Sequence, residues 1–221
     1  MFQVRIHGRG GQGVVSCAEM LSIAAFLGER HAQAFPSFGS ERTGAPVVAF
    51  CRMDDREIRL REPIMQPDAI IIQDATLLHQ VDVFSGLKKD GYILINTTQT
   101  FEQLGLGEFV KGFQPDHLLT VPASELAMKH VRRQVPNVPL LGAFAALGGA
   151  TSRSSGRPKN DCTPSGGLAQ PGLGAFISLQ AVHAAIAQKF KGAVAQGNQA
   201  AATEAYDIVM EQERKAGALH A

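Results

Sequence analysis

The residues best suited to binding chemistry are four glycines near the start of the chain, at positions 8, 10, 11 and 13. They follow an alternating apolar run, Phe2, Val4 and Ile6, which predicts a strand, and they precede apolar residues at helical spacing. Glycines between a strand and a helix let the backbone turn tightly and approach a ligand. The free N–H groups and the positive dipole end of the helix favour an anion. We call residues 8–13 the glycine loop.

Two polar side chains lie within the glycine loop, Arg9 and Gln12. Arg9 can offer a forked set of donors to a phosphate or a carboxylate. An equally simple interpretation is that Arg9 pairs with a carboxylate of a neighbouring chain. The glycines also have a structural alternative, in which they only allow the strand and the helix to pack closely.

The spacing of Gly8, Gly10 and Gly13 satisfies the dinucleotide pattern GxGxxG. That pattern also requires an acidic residue about 20 residues further on, at the end of the second strand, to hold a ribose hydroxyl. Residues 32–36 contain no carboxylate, and Glu29 precedes that strand. An NAD site is therefore disfavoured, whereas a phosphate-bearing ligand is not.

A second polar group lies in residues 37–46, which we call the second loop. Ser40, Glu41, Arg42 and Thr43 stand between glycines and prolines that suppress regular structure. Loops that concentrate specific polar groups tend to serve recognition, so Arg42 is expected to contact a ligand or another subunit. The alternative is a local surface pair with Glu41, worth well under about 1 kcal/mol.

Other chemistries find little support in the sequence. The seven histidines show no ligand spacing, and the three cysteines, at positions 17, 51 and 162, are far apart. This distribution argues against a disulfide framework, a zinc site or an iron–sulfur cluster on this chain alone. Cys17 and Cys51 fall on apolar stretches and are expected in the core. With no nucleophile elbow and no paired carboxylates, we expect neither a catalytic residue nor a metal ligand here.

The order of predicted strands and helices around these loops indicates an α/β fold with an open, mostly parallel sheet, flanking helices and a small hairpin. The hairpin is expected between 47–51 and 58–60. Further strands are predicted at 69–72, 92–95 and 118–122, and helices at about 13–27, 75–86, 123–131 and 140–149, with Asp74 as a candidate cap of the helix at 75–86. Ligands of such sheets bind beyond the carboxyl ends of the strands, where the glycine loop and residues 96–100 are expected.

Length and composition indicate a single domain. The 221 residues are 45% apolar and 19% charged, as in ordinary globular proteins. Residues 150–174 are rich in Gly, Pro and Ser and predict a loop insertion, and 175–215 predict C-terminal helices. A net charge of +1 gives no general attraction to nucleic acid or to a membrane surface. Without a signal peptide or an apolar span of about 20 residues, a cytoplasmic location is expected.

Residues 6–14 and 32–46 together resemble the gamma subunit of pyruvate:ferredoxin oxidoreductase and its 2-oxoacid relatives. Residues 72–74, 96–97 and 137–143 also resemble this family. The similarity covers roughly 2–149 and resumes near 175–210, and segment 150–174 is the main departure.

The resemblance implies a multi-subunit enzyme that oxidatively decarboxylates a 2-oxoacid, such as pyruvate or an aryl 2-oxoacid, to its acyl-CoA. Coenzyme A is the co-substrate, while thiamine diphosphate, magnesium and iron–sulfur clusters belong mainly to other subunits. The implied partners are alpha, beta and delta-type subunits and ferredoxin or another electron acceptor.

The gamma domain of the family is Rossmann-like and borders the catalytic cleft. The residues that the resemblance assigns to cofactor binding, in the glycine loop and the second loop, are Gly8, Arg9, Gly10, Gly11, Gln12, Gly13, Ser40, Glu41, Arg42 and Thr43.

Two other functions remain as alternatives. A stand-alone nucleotide-binding or regulatory module would use the same glycine loop, although the missing ribose-binding carboxylate counts against it. A purely structural subunit would leave the glycine loop empty.

Overall fold

The computed structural model describes residues 1–37, 43–154 and 177–219. Six strands form one sheet in the order β2-β3-β1-β4-β5-β6. The strands are β1 (Phe2–Arg9), β2 (His31–Pro36), β3 (Pro46–Asp54), β4 (Ala69–Ile72), β5 (Tyr92–Asn96) and β6 (Leu118–Val121). Strands β1, β4, β5 and β6 are mutually parallel, while β3 runs antiparallel to both β1 and β2. The prediction of a mostly parallel α/β sheet is therefore confirmed.

The small hairpin is formed by β2 and β3, so the predicted pairing of 47–51 with 58–60 is wrong. Strand β3 already has a partner on each side, β1 and β2, and has no free edge for another strand. Residues 58–60 form no strand. Instead, the buried guanidinium of Arg52 donates to the carbonyls of Leu60 and Glu62 and holds this segment against β3.

The described helices are α1 (Val14–Leu27), α2 (Gly107–Val110), α3 (Ala123–Val131), α4 (Asn137–Ser154), α5 (Leu179–Lys189) and α6 (Gly192–Leu219). Helices α1 and α3 and the two C-terminal helices confirm the predictions. Helix α4 continues beyond residue 149 to Ser154, so the first residues of the predicted loop insertion are helical and the loop prediction is wrong there. Residues 155–174, the rest of that insertion, lie outside the described residues.

The helix predicted over 75–86 is only a short 3₁₀ helix, Ala75–His79. The expected cap is confirmed, because the Asp74 side chain accepts a hydrogen bond from the Thr76 N–H. Beyond it, Arg5 of β1 donates to the carbonyls of Val83 and Ser85, and these bonds hold the irregular segment after the 3₁₀ helix.

The main core lies on the face of the sheet covered by α1, α4, α5 and α6. It contains Cys17 and Cys51, both fully buried, as predicted. The other face carries a smaller core around Ile70, Ile72 and Ile93, covered mostly by the irregular chain between β4 and β6. Helix α1 therefore packs against one face of the sheet, and the glycine loop connects the carboxyl end of β1 to this helix.

Candidate functional site: the glycine loop and its neighbours

The carboxyl ends of β1, β4 and β5 meet at one edge of the sheet because these strands are parallel. The glycine loop follows β1, and Asn96 ends β5 at the same edge, as the sequence predicts. The Asn96 side chain donates to the carbonyl of Gln73, just after β4, and to Ser124 Oγ, both at 2.8 Å. These contacts join the residue at the end of β5 to the residue after β4 and to α3, next to the glycine loop.

Two glycines of the loop have backbone conformations that favour glycine. Gly11 has a φ of +97° and Gly13 a φ of +75°. Gly8 is required for space instead, because a Cβ there would lie 2.6 Å from Cγ2 of Val14. The close passage of the loop over the start of α1 thus depends on glycine at both ends.

The start of α1 directs backbone N–H groups towards the loop. Gly13 precedes the helix, and its carbonyl accepts the Cys17 N–H at 2.8 Å. The amides of Val14, Val15 and Ser16 come before this bond, so they have no acceptor within the helix. The first turn of α1 contains no acidic side chain. This end of α1 can therefore receive an anion.

The end of the second loop is paired with the glycine loop. Gly10 and Thr43 form a bridge, the Gly10 N–H donates to the Ala45 carbonyl at 2.9 Å, and the Gly44 N–H donates to the Gly10 carbonyl at 3.0 Å. Thr43 therefore lies beside the glycine loop. Ser40, Glu41 and Arg42 lie outside the described residues.

A pocket of about 440 Å³ opens where these two loops meet the start of α1. It is lined by Arg9, Gly10, Gly11, Gly13, Val14, Val15, Ser16, Thr43 and Val47. Five of the residues predicted from the sequence thus surround one cavity. Gly8 and Gln12 are not part of its lining, and they support the loop from behind.

Arg9 has a partner that sequence reasoning missed. Its Nε lies 3.1 Å from Oδ2 of Asp74, and its terminal nitrogens donate to Thr76 Oγ1, Gln80 Oε1 and the Gly44 carbonyl at 2.7, 2.9 and 3.1 Å. All four acceptors belong to this chain. The sequence does contain a signal for Asp74, because it is a carboxylate two residues after the predicted strand 69–72.

Gln12 completes the link between the glycine loop and Asp74. Its Oε1 accepts the Arg9 N–H at 2.8 Å, and its Nε2 donates to Asp74 Oδ2 at 2.9 Å. Partial burial opposes the charged form of Asp74, but the hydrogen bonds from Thr76 and Gln12 and the charge of Arg9 outweigh it and lower the pKa of this carboxyl. Asp74 is therefore ionised at neutral pH.

Metal and thiol chemistry have no assembled site in residues 1–37, 43–154 and 177–219. Within these ranges no group of three or more His, Cys, Asp or Glu side chains is placed to hold a metal ion. Cys17 and Cys51 are buried in the core, and burial raises the pKa of Cys17 to about 12. No helix in this part of the chain is long and apolar enough to cross a membrane.

Comparisons with known proteins agree on one family. Residues 3–159 match the family described as pyruvate ferredoxin/flavodoxin oxidoreductase. The chain is 50% identical to the pyruvate synthase subunit PorC of Methanosarcina barkeri over 149 residues, which cover 67% of this chain and 79% of that protein. It is 36% identical over 207 residues to the pyruvate/ketoisovalerate oxidoreductases common subunit gamma of Thermococcus litoralis, covering 94% and 96% of the two chains.

A solved structure supports the same relationship. The pyruvate oxidoreductase subunit PORC of Thermotoga maritima superposes with a TM-score of 0.67 and is 31% identical, and the match covers 93% of this chain and 95% of that one.

Proposed function

Because the chain belongs to the pyruvate ferredoxin/flavodoxin oxidoreductase family, in which it is a gamma subunit, we propose that its glycine loop contacts coenzyme A within the assembled enzyme. The enzyme is a multi-subunit 2-oxoacid oxidoreductase. In this proposal it oxidatively decarboxylates the 2-oxoacid to the acyl-CoA and passes the electrons to ferredoxin or another acceptor. We propose pyruvate as the 2-oxoacid, since the relative of highest identity named above is a pyruvate synthase subunit.

One observation carries the coenzyme A proposal, namely the pocket at the start of α1. The amides of Val14, Val15 and Ser16 and the helix dipole favour a phosphate group there. Gly10, Gly11 and Gly13 let a bulky pyrophosphate approach the backbone, and Thr43 adds a hydroxyl from the second loop. Ser40, Glu41 and Arg42 are proposed to extend the same contact surface. No residue of this chain is proposed to transfer a proton.

The redox groups are proposed to lie on other chains. Thiamine diphosphate with its magnesium ion, and the iron–sulfur clusters, need acidic or cysteine ligands in groups. Cys17 and Cys51 are buried in the core, and the described residues hold no group of metal-binding side chains. We therefore propose that alpha, beta and delta-type subunits carry these groups and that this chain borders the cleft they form.

A charge placed in the pocket tests the proposal. Ser16 lines the pocket in the first turn of α1, where a carboxylate favours the helix through its dipole. Ser16→Asp should therefore fold normally but repel a phosphate. In the assembled enzyme we expect the KM for coenzyme A to rise about tenfold or more, with little change in the KM for pyruvate.

Ser16→Asn is the matched control, because it has the same size as the aspartate variant and no charge. It should leave the KM for coenzyme A within about twofold of the original value, a shift well under 1 kcal/mol. An unchanged KM for coenzyme A in Ser16→Asp would refute the proposal. A screen of 2-oxoacids on the purified complex tests the choice of pyruvate.

A further inference from the structure

We propose that Asp74 is a positioning residue that holds the glycine loop in the shape that receives coenzyme A, and that Arg9 acts with it in this task. The inference rests on the proposed function, since the ligand of the pocket is taken from it. The claim that Asp74 fixes the conformation of the glycine loop depends only on contacts within this chain.

The carboxylate of Asp74 divides its two oxygens between two tasks. Oδ1 accepts the Thr76 N–H at 3.0 Å and the Thr76 hydroxyl at 2.6 Å, and so fixes the turn to which Asp74 itself belongs. Oδ2 accepts Nε of Arg9 at 3.1 Å and Nε2 of Gln12 at 2.9 Å. Asp74 therefore connects the turn after β4 to two side chains of the glycine loop.

Arg9 is occupied by contacts within the chain. A guanidinium has five N–H donors, and four hydrogen bonds from Arg9 end on Asp74, Thr76, Gln80 and the Gly44 carbonyl. These acceptors belong to the turn after β4, its 3₁₀ helix and the end of the second loop. Arg9 thus joins three segments around the pocket, and the ligand phosphate is left to the amides of α1.

The geometry of the loop explains why such a link matters. Gly11 has a left-handed backbone and is exposed, and a Cβ there would have no neighbour within 4 Å. The middle of the loop therefore has little packing of its own. Charge-assisted hydrogen bonds that the Asp74 carboxylate accepts from Arg9 and Gln12 supply the restraint that packing does not.

Asp68 offers a matched control on the same strand. It stands just before β4, as Asp74 stands just after it, and it is also bound to a backbone amide and to a cation. Its Oδ2 accepts the Gln3 N–H at 2.7 Å and its Oδ1 pairs with Nζ of Lys88 at 2.5 Å. Asp68 lies at the amino end of β4, whereas the pocket lies at the carboxyl end of the parallel strands. Its substitution should therefore not alter the pocket.

The experiment compares Asp74→Asn with Asp68→Asn in the assembled enzyme, by steady-state kinetics and by hydrogen–deuterium exchange of residues 8–16. Asn in place of Asp74 keeps the size but presents fewer acceptors to four donors. For Asp74→Asn we expect the loop amides to exchange faster and the KM for coenzyme A to rise about tenfold, with kcat and the KM for pyruvate within about twofold. Asp68→Asn should change neither loop exchange nor the KM for coenzyme A.

The outcomes separate this inference from the proposed function. Unchanged loop exchange in Asp74→Asn overturns the positioning role, whatever the kinetics. Faster loop exchange with an unchanged KM for coenzyme A also overturns it if Ser16→Asp raises that KM, because the pocket then binds coenzyme A without help from Asp74. If Ser16→Asp leaves that KM unchanged as well, the proposed function fails and the inference about coenzyme A falls with it.

Discussion

Asn137 at the start of α4 donates from Nδ2 to the carbonyl of Gly13 at 3.4 Å, so the first turns of α4 and α1 are joined beneath the glycine loop. The Asn137 carbonyl also accepts the Cys17 thiol, at 3.6 Å. Gly13 therefore has little room, and a Cβ at this position would lie 2.5 Å from Nδ2 of Asn137. This contact therefore leaves no space for a side chain at Gly13.

The first prediction concerns Gly13→Ala. The alanine would be strained at a φ of +75° and would push Asn137 away from α1. We expect a loss of about 2–3 kcal/mol in the free energy of unfolding, measured with urea. Gly11→Ala is the control, because its φ of +97° is also one that L residues rarely adopt, while a Cβ there meets nothing within 4 Å. The free energy of unfolding of Gly11→Ala should fall only by the backbone strain, about 1–2 kcal/mol. Equal losses in the two variants would contradict the role of Asn137.

The second prediction concerns the contact between α4 and α6. A Cβ on Gly142 would lie 2.0 Å from the carbonyl oxygen of Ala202, so Gly142→Ala must push the two helices apart. We expect it to destabilise the protein by about 2 kcal/mol or more, seen as a lower midpoint in urea. Gly112→Ala serves for comparison, since a Cβ there meets nothing within 4 Å. A normal midpoint for Gly142→Ala would show that α4 and α6 can separate freely.

The third prediction concerns the buried thiols. Cys17 and Cys51 have no exposed surface, and burial raises the pKa of both, that of Cys17 to about 12. Because the thiolate is the reactive form, a water-soluble thiol reagent should not modify either cysteine in the folded protein. The measurement uses Cys162→Ser, so that only these two thiols remain. Two thiols should react after denaturation, and rapid reaction of one before denaturation would disprove the burial.

The parts of the fold that depend on local chemistry could be predicted from the sequence. The alternating run at the start of β1, the glycines that follow and the spacing of α1 are all read within about 30 residues, the size of one strand–helix unit. The predicted pairing of 47–51 with 58–60 is wrong because strand pairing is not local. Residues 47–51 predict a strand, but only the sheet order shows that β1 and β2 occupy both of its edges.

In the candidate site, too, local features could be predicted from the sequence and long-range contacts could not. The family resemblance assigns cofactor binding to both the glycine loop and the second loop, and the bridge between Gly10 and Thr43 puts the end of the second loop beside the glycine loop. The sequence predicts Asp74 only as a helix cap, because its pairing with Arg9 joins residues 65 positions apart. Such a pair becomes visible only when β1 and β4 are known to be parallel neighbours.

The last prediction concerns acid stability and His7, which lies on β1, on the face opposite α1. His7 is 6% exposed, and its Nε2 has no hydrogen-bond partner among the described residues. Burial, with a smaller effect from the charge of Arg5, lowers the pKa of His7 to about 4. In the unfolded chain a histidine titrates near about 6.5, so between these two values the unfolded state binds more protons and stability falls as the pH falls. The His7 contribution to this loss between about pH 7.5 and pH 5 is about 2 kcal/mol.

His7→Leu removes the titrating group and an unpartnered buried nitrogen, so its free energy of unfolding should match that of the original protein near neutral pH and fall by about 2 kcal/mol less on acidification. Urea unfolding at the two pH values measures the difference, and parallel losses in both proteins would mean that His7 is not the acid-sensitive group.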